Sequence, residues 1–65
     1  MDCKKIAADY LVESVADVVE VGSVDGCYVY QDRSGARVLV LEDGSCFDVV
    51  DGVVEYDKMR KNVLH

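Results

Sequence analysis

The first part of the chain places its apolar residues at helical spacing. With about 100° of rotation per residue, one broad face collects small and apolar side chains while charged side chains lie opposite. Asp2 precedes this segment, and a carboxylate there can accept hydrogen bonds from the free N–H groups that begin a helix. The pattern predicts an amphipathic helix over residues 3–16. Its apolar face holds Cys3, Ile6, Ala7, Tyr10, Leu11, Ser14, Val15 and Val18, and the opposite face holds Lys5, Asp9, Glu13 and Asp17.

From residue 17 onward the pattern changes to β-prone runs separated by turn sequences. Asp-Gly pairs at 25–26, 43–44 and 51–52 suit two-residue type I′ turns, whose central residues both need positive φ. The stretch 32–35 suits a three-residue loop with Gly35 in the left-handed conformation. No proline interrupts these runs. The predicted strands, which form an antiparallel β-meander, are residues 18–24, 27–32, 36–42, 45–50 and 53–56.

The turn types fix which residues face each other across neighbouring strands. Extended along the strands, this register predicts one face made only of apolar and aromatic side chains. We expect the helix to pack on this face, giving a single α+β domain over residues 1–65 with a short C-terminal tail at 57–65. The turns place Val24 opposite Cys27, Asp32 opposite Ala36, Glu42 opposite Ser45, and Val50 opposite Val53. The apolar face holds Val19, Val21, Tyr28, Tyr30, Val38, Val40, Phe47, Val49, Val54 and Tyr56.

The other face of the predicted sheet is half apolar, although one helix covers only one face. Monomeric proteins rarely expose large apolar patches, which leaves three explanations. The sheet is strongly curled or barrel-like, residues 58–64 fold over this face, or another protein or a second copy of the chain covers it. The apolar members of this face are Val29, Leu39, Leu41, Cys46, Val50 and Val53.

The chain is strongly acidic between its two ends. Its net charge is −6, and residues 6–57 hold twelve acidic residues against only Arg33 and Arg37. Direct nucleic-acid binding is not expected, because contacts to the phosphate backbone need Lys and Arg. An acidic surface can instead bind a basic groove of another protein by imitating nucleic acid, or it can serve only to keep a small protein soluble.

Residue types that carry chemistry are few and scattered. The three cysteines, Cys3, Cys27 and Cys46, include no Cys-x-x-Cys pair. This spacing favours reduced thiols in the cytoplasm rather than a disulfide scaffold or a zinc site. The single histidine, His65, is the last residue of the sequence, where nothing holds a general base in place. Turn chemistry accounts for the aspartates of the Asp-Gly pairs. We therefore expect no catalytic residue, no metal, no cofactor, no signal peptide and no membrane span.

These observations favour an interaction protein over an enzyme. The first hypothesis is a small acidic protein–protein interaction module that binds stoichiometrically, as an inhibitor of phage or mobile-element type that blocks a nucleic-acid-binding enzyme. The alternatives are a homo-oligomeric structural or regulatory protein that buries its second sheet face on itself, and a small ligand-binding domain. The residues expected to contact a partner are Val29, Leu39, Leu41, Val50, Val53, Glu42, Asp43, Asp48 and Glu55.

Overall fold

A computed structural model of the chain describes residues 2–56, which form one short helix and one antiparallel sheet. The strands lie in the order β1-β2-β3-β4-β5, each antiparallel to its neighbour, so the predicted α+β meander is confirmed. Within residues 2–56, β1 and β5 remain the two edges, and the sheet is open rather than closed into a barrel. The elements are helix α1 (Cys3–Leu11), a 3-10 turn (Val15–Asp17), and strands β1 (Val19–Val24), β2 (Cys27–Gln31), β3 (Arg37–Val40), β4 (Cys46–Val50) and β5 (Val53–Val54).

The predicted tail at residues 57–65 lies outside the described residues. The suggestion that residues 58–64 fold over the sheet, through Met59, Val63 and Leu64, lies outside them too.

Helix α1 begins where the sequence predicts and ends earlier. The Asp2 carboxylate accepts a hydrogen bond from the Lys5 backbone N–H at 3.2 Å, which caps the first turn. After the last helical residue, Val12 adopts a left-handed conformation with φ = 57°. The Glu13 N–H then donates to the Ala8 carbonyl at 2.9 Å, which closes the helix in the way that usually employs glycine. The predicted helix end at residue 16 is therefore wrong.

The helix covers one side of the sheet through its small residues. Ala7 and Ala8 are buried, and their short side chains let the helix lie close to the strands. Ser14 and Val15, which the helical pattern assigned to this contact, are exposed after the end of the helix. The buried cluster on this side consists of Ala7, Ala8, Val18, Tyr30, Val38, Val40 and Cys46, with Cys3, Ile6, Tyr10 and Leu11 packed against it.

Three of the four predicted turns are confirmed. Asp25 and Asp51 have φ of 51° and 53°, as the type I′ geometry requires. The residues that flank these two turns pair across the strands as expected. In the loop between β2 and β3, the Asp32 N–H donates to the Ala36 carbonyl at 3.0 Å, which is the predicted pairing of the three-residue loop.

The loop between β3 and β4 is longer than predicted. The Leu41 N–H donates to the Ser45 carbonyl at 2.8 Å, so Leu41 takes the place that the sequence assigned to Glu42. The Asp43 carboxylate accepts the Ser45 N–H at 2.9 Å, and Gly44 has φ = 90°. This is a type I turn followed by a left-handed glycine. An Asp-Gly pair fits this three-residue loop as well as it fits a two-residue turn, so the sequence pattern does not distinguish the two loop lengths.

This shift in register turns β4 and β5 over, because the side chains of a strand alternate between its two faces. Phe47, Val49 and Val54 therefore lie on the side away from the helix, and the predicted uniformly apolar face is wrong. In their place, Cys46 and Asp48 lie on the helix side.

A β-bulge changes the register at the opposite edge of the sheet. Glu20 pairs with Tyr30 and Gly22 pairs with Val29, so Val21 has no partner on β2. The side chain of Val21 is 44% exposed, although the sequence pattern assigned it to the core.

The side of the sheet away from the helix carries a second, smaller core. Val29, Leu39 and Phe47 lie next to one another across β2, β3 and β4. Leu39 is 1% exposed and Val29 is 7% exposed, although the helix packs on the other side. The ring of Phe47 meets the ring of Tyr56 edge to face, with 4.8 Å between the ring centroids. Two of the six apolar residues assigned to the second face, Val29 and Leu39, are thus buried on this side. Cys46 lies on the helix side instead, and Val50 and Val53 are exposed.

The left-handed valine yields a first prediction. Replacing Val12 by glycine should stabilise the protein by about 1 kcal/mol. The left-handed conformation costs a residue with a Cβ atom about 1–2 kcal/mol, and relief of this strain outweighs the greater flexibility of the unfolded glycine variant. Val12 is 87% exposed, so little buried surface is lost. The control Val12→Ala keeps a Cβ atom and should gain much less. Urea denaturation measures both changes, and a glycine variant no more stable than the parent would contradict the prediction.

The second core yields another prediction. Leu39→Ala should cost about 2–5 kcal/mol of unfolding free energy, as expected for a fully buried leucine. Leu41 is only half-buried directly after the end of β3, and Leu41→Ala is the matched control with a clearly smaller cost. A Leu39→Ala loss below about 1 kcal/mol in denaturant unfolding would contradict the assignment of a core to the face away from the helix.

Candidate protein-binding surface

Three carboxylates meet at one end of the sheet because of its meander topology. In a meander, alternate turns lie at the same end, so the β1–β2 turn lies beside the β3–β4 loop. The turn contributes Asp25, and the loop contributes Glu42 and Asp43. Together with Cys27 and Leu41 these residues line one shallow depression. We refer to Asp25, Glu42 and Asp43 as the acidic end.

Hydrogen bonds favour the charged form of one carboxylate of the acidic end, Asp43. The Ser45 backbone N–H and, secondarily, the Ser45 side chain donate to Asp43, and this holds the pKa of the Asp43 carboxyl below its usual value. Within residues 2–56, no lysine or arginine forms an ion pair with the acidic end. The ion pairs of this part of the chain lie elsewhere: Lys5 with Asp9 at 3.5 Å and Arg33 with Asp17 at 3.4 Å.

The opposite end of the sheet has a different character. There the Asp32 carboxylate accepts hydrogen bonds from the Ser34 hydroxyl at 2.7 Å, the Ser34 N–H at 2.9 Å and the Ala36 N–H at 3.0 Å. The Ser34 hydroxyl contributes most to lowering the pKa of Asp32, followed by the backbone donors. Arg37 donates to Gln31 at 2.7 Å. The Asp32 carboxylate therefore stabilises the loop between β2 and β3. This end of the sheet carries both acidic and basic side chains.

The nine residues expected to contact a partner are distributed over three environments. Val29 and Leu39 are buried, so their side chains offer little surface to a partner. Leu41 is half-buried beside Glu42 and Asp43 at the acidic end. The role of these five residues in binding a partner stays a prediction.

The remaining members of that set lie toward the helix side and the last hairpin. Val50 and Val53 flank the β4–β5 turn and are 46% and 61% exposed. Asp48 and Glu55 are half-buried, and Asp48 accepts a hydrogen bond from the Tyr10 hydroxyl at 2.8 Å. The structure therefore does not bring all nine residues onto one surface.

Sequence reasoning missed the edge strand β1. All of its residues are exposed, and they include Val19 (54%), Val21 (44%) and Val24 (37%). The register predicted for β1 and β2 lacks the bulge at Val21 and places Val19 and Val21 in the core. It therefore does not predict that this edge is exposed and apolar. One signal was available in the sequence: the first strand of a meander is always an edge. We refer to Val19–Val24 as the β1 edge.

The three cysteines form no disulfide with one another. All three thiols are free, and burial, followed by the nearby Cys3, raises the pKa of the Cys46 thiol. Within residues 2–56, no group of three or more His, Cys, Asp and Glu side chains is placed to hold a metal ion.

Tyr10 joins the helix to β4 through a polar contact. Burial first, and then the hydrogen bond and charge of Asp48, raise the pKa of Tyr10 from 10.0 to about 12. A tyrosine whose pKa is higher in the folded than in the unfolded chain stabilises the fold fully below the unfolded value. This contribution falls as the pH rises through that value toward the folded one.

This contact predicts a pH-dependent effect of one substitution. Tyr10→Phe should lower the unfolding free energy by about 1 kcal/mol at neutral pH, where the hydrogen bond is intact. The difference from the parent should shrink as the pH approaches about 12. The control Tyr28→Phe removes a hydroxyl from a 44% exposed side chain and should change little. Denaturant titrations over the alkaline range measure both, and a constant difference would contradict the assignment.

No helix within residues 2–56 has the length and apolarity needed to cross a membrane. A comparison with protein-family models, with curated proteins and with solved structures gave no match to this chain.

Proposed function

We propose that the protein is a stoichiometric protein-binding module whose acidic end binds a basic surface of another protein. The observation that carries this proposal is the convergence of Asp25, Glu42 and Asp43 on one shallow depression, without an ion-pairing lysine or arginine in residues 2–56. Carboxylates in this arrangement attract a positively charged partner over a distance and orient it before contact.

A more specific form of the proposal is a cytoplasmic inhibitor, of the type that phages and mobile elements produce, that occupies the nucleic-acid groove of an enzyme. The charge of the described chain supports it, because residues 2–56 contain twelve acidic and four basic residues. An inhibitor of this kind acts by occupancy and needs no catalytic group. The three free thiols suit a reducing compartment.

The structure offers matched substitutions to test the acidic end. Asp25 and Asp51 occupy the same position of the same turn type, at opposite ends of the sheet. Glu42 and Glu13 are both exposed, but only Glu42 belongs to the acidic end. Asparagine tolerates the left-handed conformation, so the aspartate changes should leave both turns intact.

A decalysine peptide is a suitable probe, with binding followed by NMR titration at several salt concentrations. The double variant Asp25→Asn, Glu42→Gln should bind roughly fivefold more weakly, since each exposed charge contributes about 0.5 kcal/mol. The double variant Asp51→Asn, Glu13→Gln should match the parent. Binding should weaken as salt rises. Equal losses in both double variants would show that only the overall charge matters, and the acidic end would lose its assigned role.

The inhibitor form has its own test. A partner captured from the host should be released when duplex nucleic acid is added, because both ligands would occupy one groove. A partner that binds the protein and its nucleic acid together, or binds equally well at high salt, would refute mimicry.

A further inference from the structure

The β1 edge is the longer of the two sheet edges, and no other strand of residues 2–56 pairs with its outer side. Five of its six residues pair with β2 and Val21 does not, and all six residues are exposed. The other edge, β5, has two residues. Edge strands present unpaired N–H and C=O groups that can pair with another strand, and proteins usually protect them with lysine, proline, a bulge or a covering element. The bulge at Val21 interrupts only the first half of β1, and Gly22–Val24 pair regularly with β2. The β1 edge contains neither lysine nor proline.

We propose that the β1 edge accepts an extended basic segment of the partner protein as a sixth strand of the sheet. This proposal rests on the proposed function in one respect, which is that the partner is basic. It adds the mode of contact, which is backbone pairing along β1. The side chains of the added strand then determine which sequences the β1 edge prefers to bind.

Backbone groups of the β1 edge are available for this pairing. In a two-residue hairpin the residues that flank the turn, here Val24 and Cys27, exchange ladder hydrogen bonds. The next residue, Ser23, lies opposite Tyr28 in a position without ladder bonds. Its N–H and C=O therefore point away from β2, toward the place that an added strand would take.

The side chains of the β1 edge favour a segment in which apolar and basic residues alternate. Val19, Val21 and Val24 offer exposed apolar surface along the strand. Glu20 lies among them, and Asp25 follows directly in the turn. Asp25 also belongs to the acidic end, so the β1 edge and the acidic end form one continuous surface with a negative charge.

The same charges disfavour a second copy of the chain as the occupant. Two paired β1 edges would bring Glu20 and Asp25 of both copies onto one seam, and each copy carries a net charge of −6. The bulge at Val21 also divides the edge, and bulges are a usual protection against strand-to-strand self-assembly. A short segment paired along Gly22–Val24 needs no uninterrupted ladder.

The first arm of the test varies the probe and leaves the protein unchanged. The probe is a short peptide of alternating lysine and valine, and the control is the same peptide with every amide N-methylated, which keeps the charges and removes the donors. The unmodified peptide should bind and should slow amide hydrogen exchange in β1, above all at Ser23. The methylated peptide should bind at least fivefold more weakly, the change expected when about 1 kcal/mol of hydrogen bonding is lost.

The second arm varies the protein and keeps the peptide. Ser23→Pro removes the outward N–H of the edge, a change that edge strands tolerate because no ladder bond is broken. It should abolish the slowed exchange and weaken binding, whereas the control Ser23→Ala should bind like the parent. Thermal unfolding shows whether the proline variant is folded; if it is not, the methylated peptide decides the question.

Three results would overturn strand addition. First, the methylated peptide could bind as well as the unmodified one. Second, the unmodified peptide could fail to bind at a concentration of about 1 mM, which corresponds to a binding free energy weaker than about 4 kcal/mol. In both cases decalysine binding that depends on Asp25 and Glu42 would leave the proposed function standing. Third, β1 amides could be protected without peptide in a concentration-dependent manner, which would make a second copy the occupant.

Discussion

The hydrogen bond from the Leu41 N–H to the Ser45 carbonyl, at 2.8 Å, determines on which side of the sheet each residue of β4 and β5 lies. Because side chains alternate along a strand, a loop of three residues at this point sends Phe47 outward and Asp48 toward the helix. The Asp43 carboxylate supports the loop by accepting the Ser45 N–H at 2.9 Å. One short loop therefore divides the apolar residues of β4 and β5 between the two faces of the sheet.

That division gives a chain of 65 residues two small cores instead of one. The helix closes the first through alanines, and Leu39 with its neighbours on β2 and β4 forms the second. A chain of this size buries only about 60% of its unfolded surface. Use of both faces of the sheet is one way to bury enough apolar surface without a disulfide, and all three cysteines are free.

The elements of this fold could be predicted from the sequence, whereas the faces could not. Asp-Gly pairs identified the hairpins, yet at residues 43–44 the same chemistry fits two loop lengths that differ by one residue. The left-handed Val12 carries no local signal, because valine disfavours that conformation. The bulge at Val21 has only a weak one, the isolated Gly22 that follows it inside the strand. For the site, charge alone brought Glu42 and Asp43 to attention. Their proximity to Asp25 and the exposure of β1 depend on register and topology.

The unequal lengths of the two sheet edges limit what the protein can assemble into. A filament grows when each subunit offers two compatible edges, one for the subunit before it and one for the subunit after it. Here β1 has six residues and β5 has two. Within residues 2–56, the long edge therefore offers backbone to one added strand, whereas the opposite edge is too short to continue such pairing on the far side of the sheet.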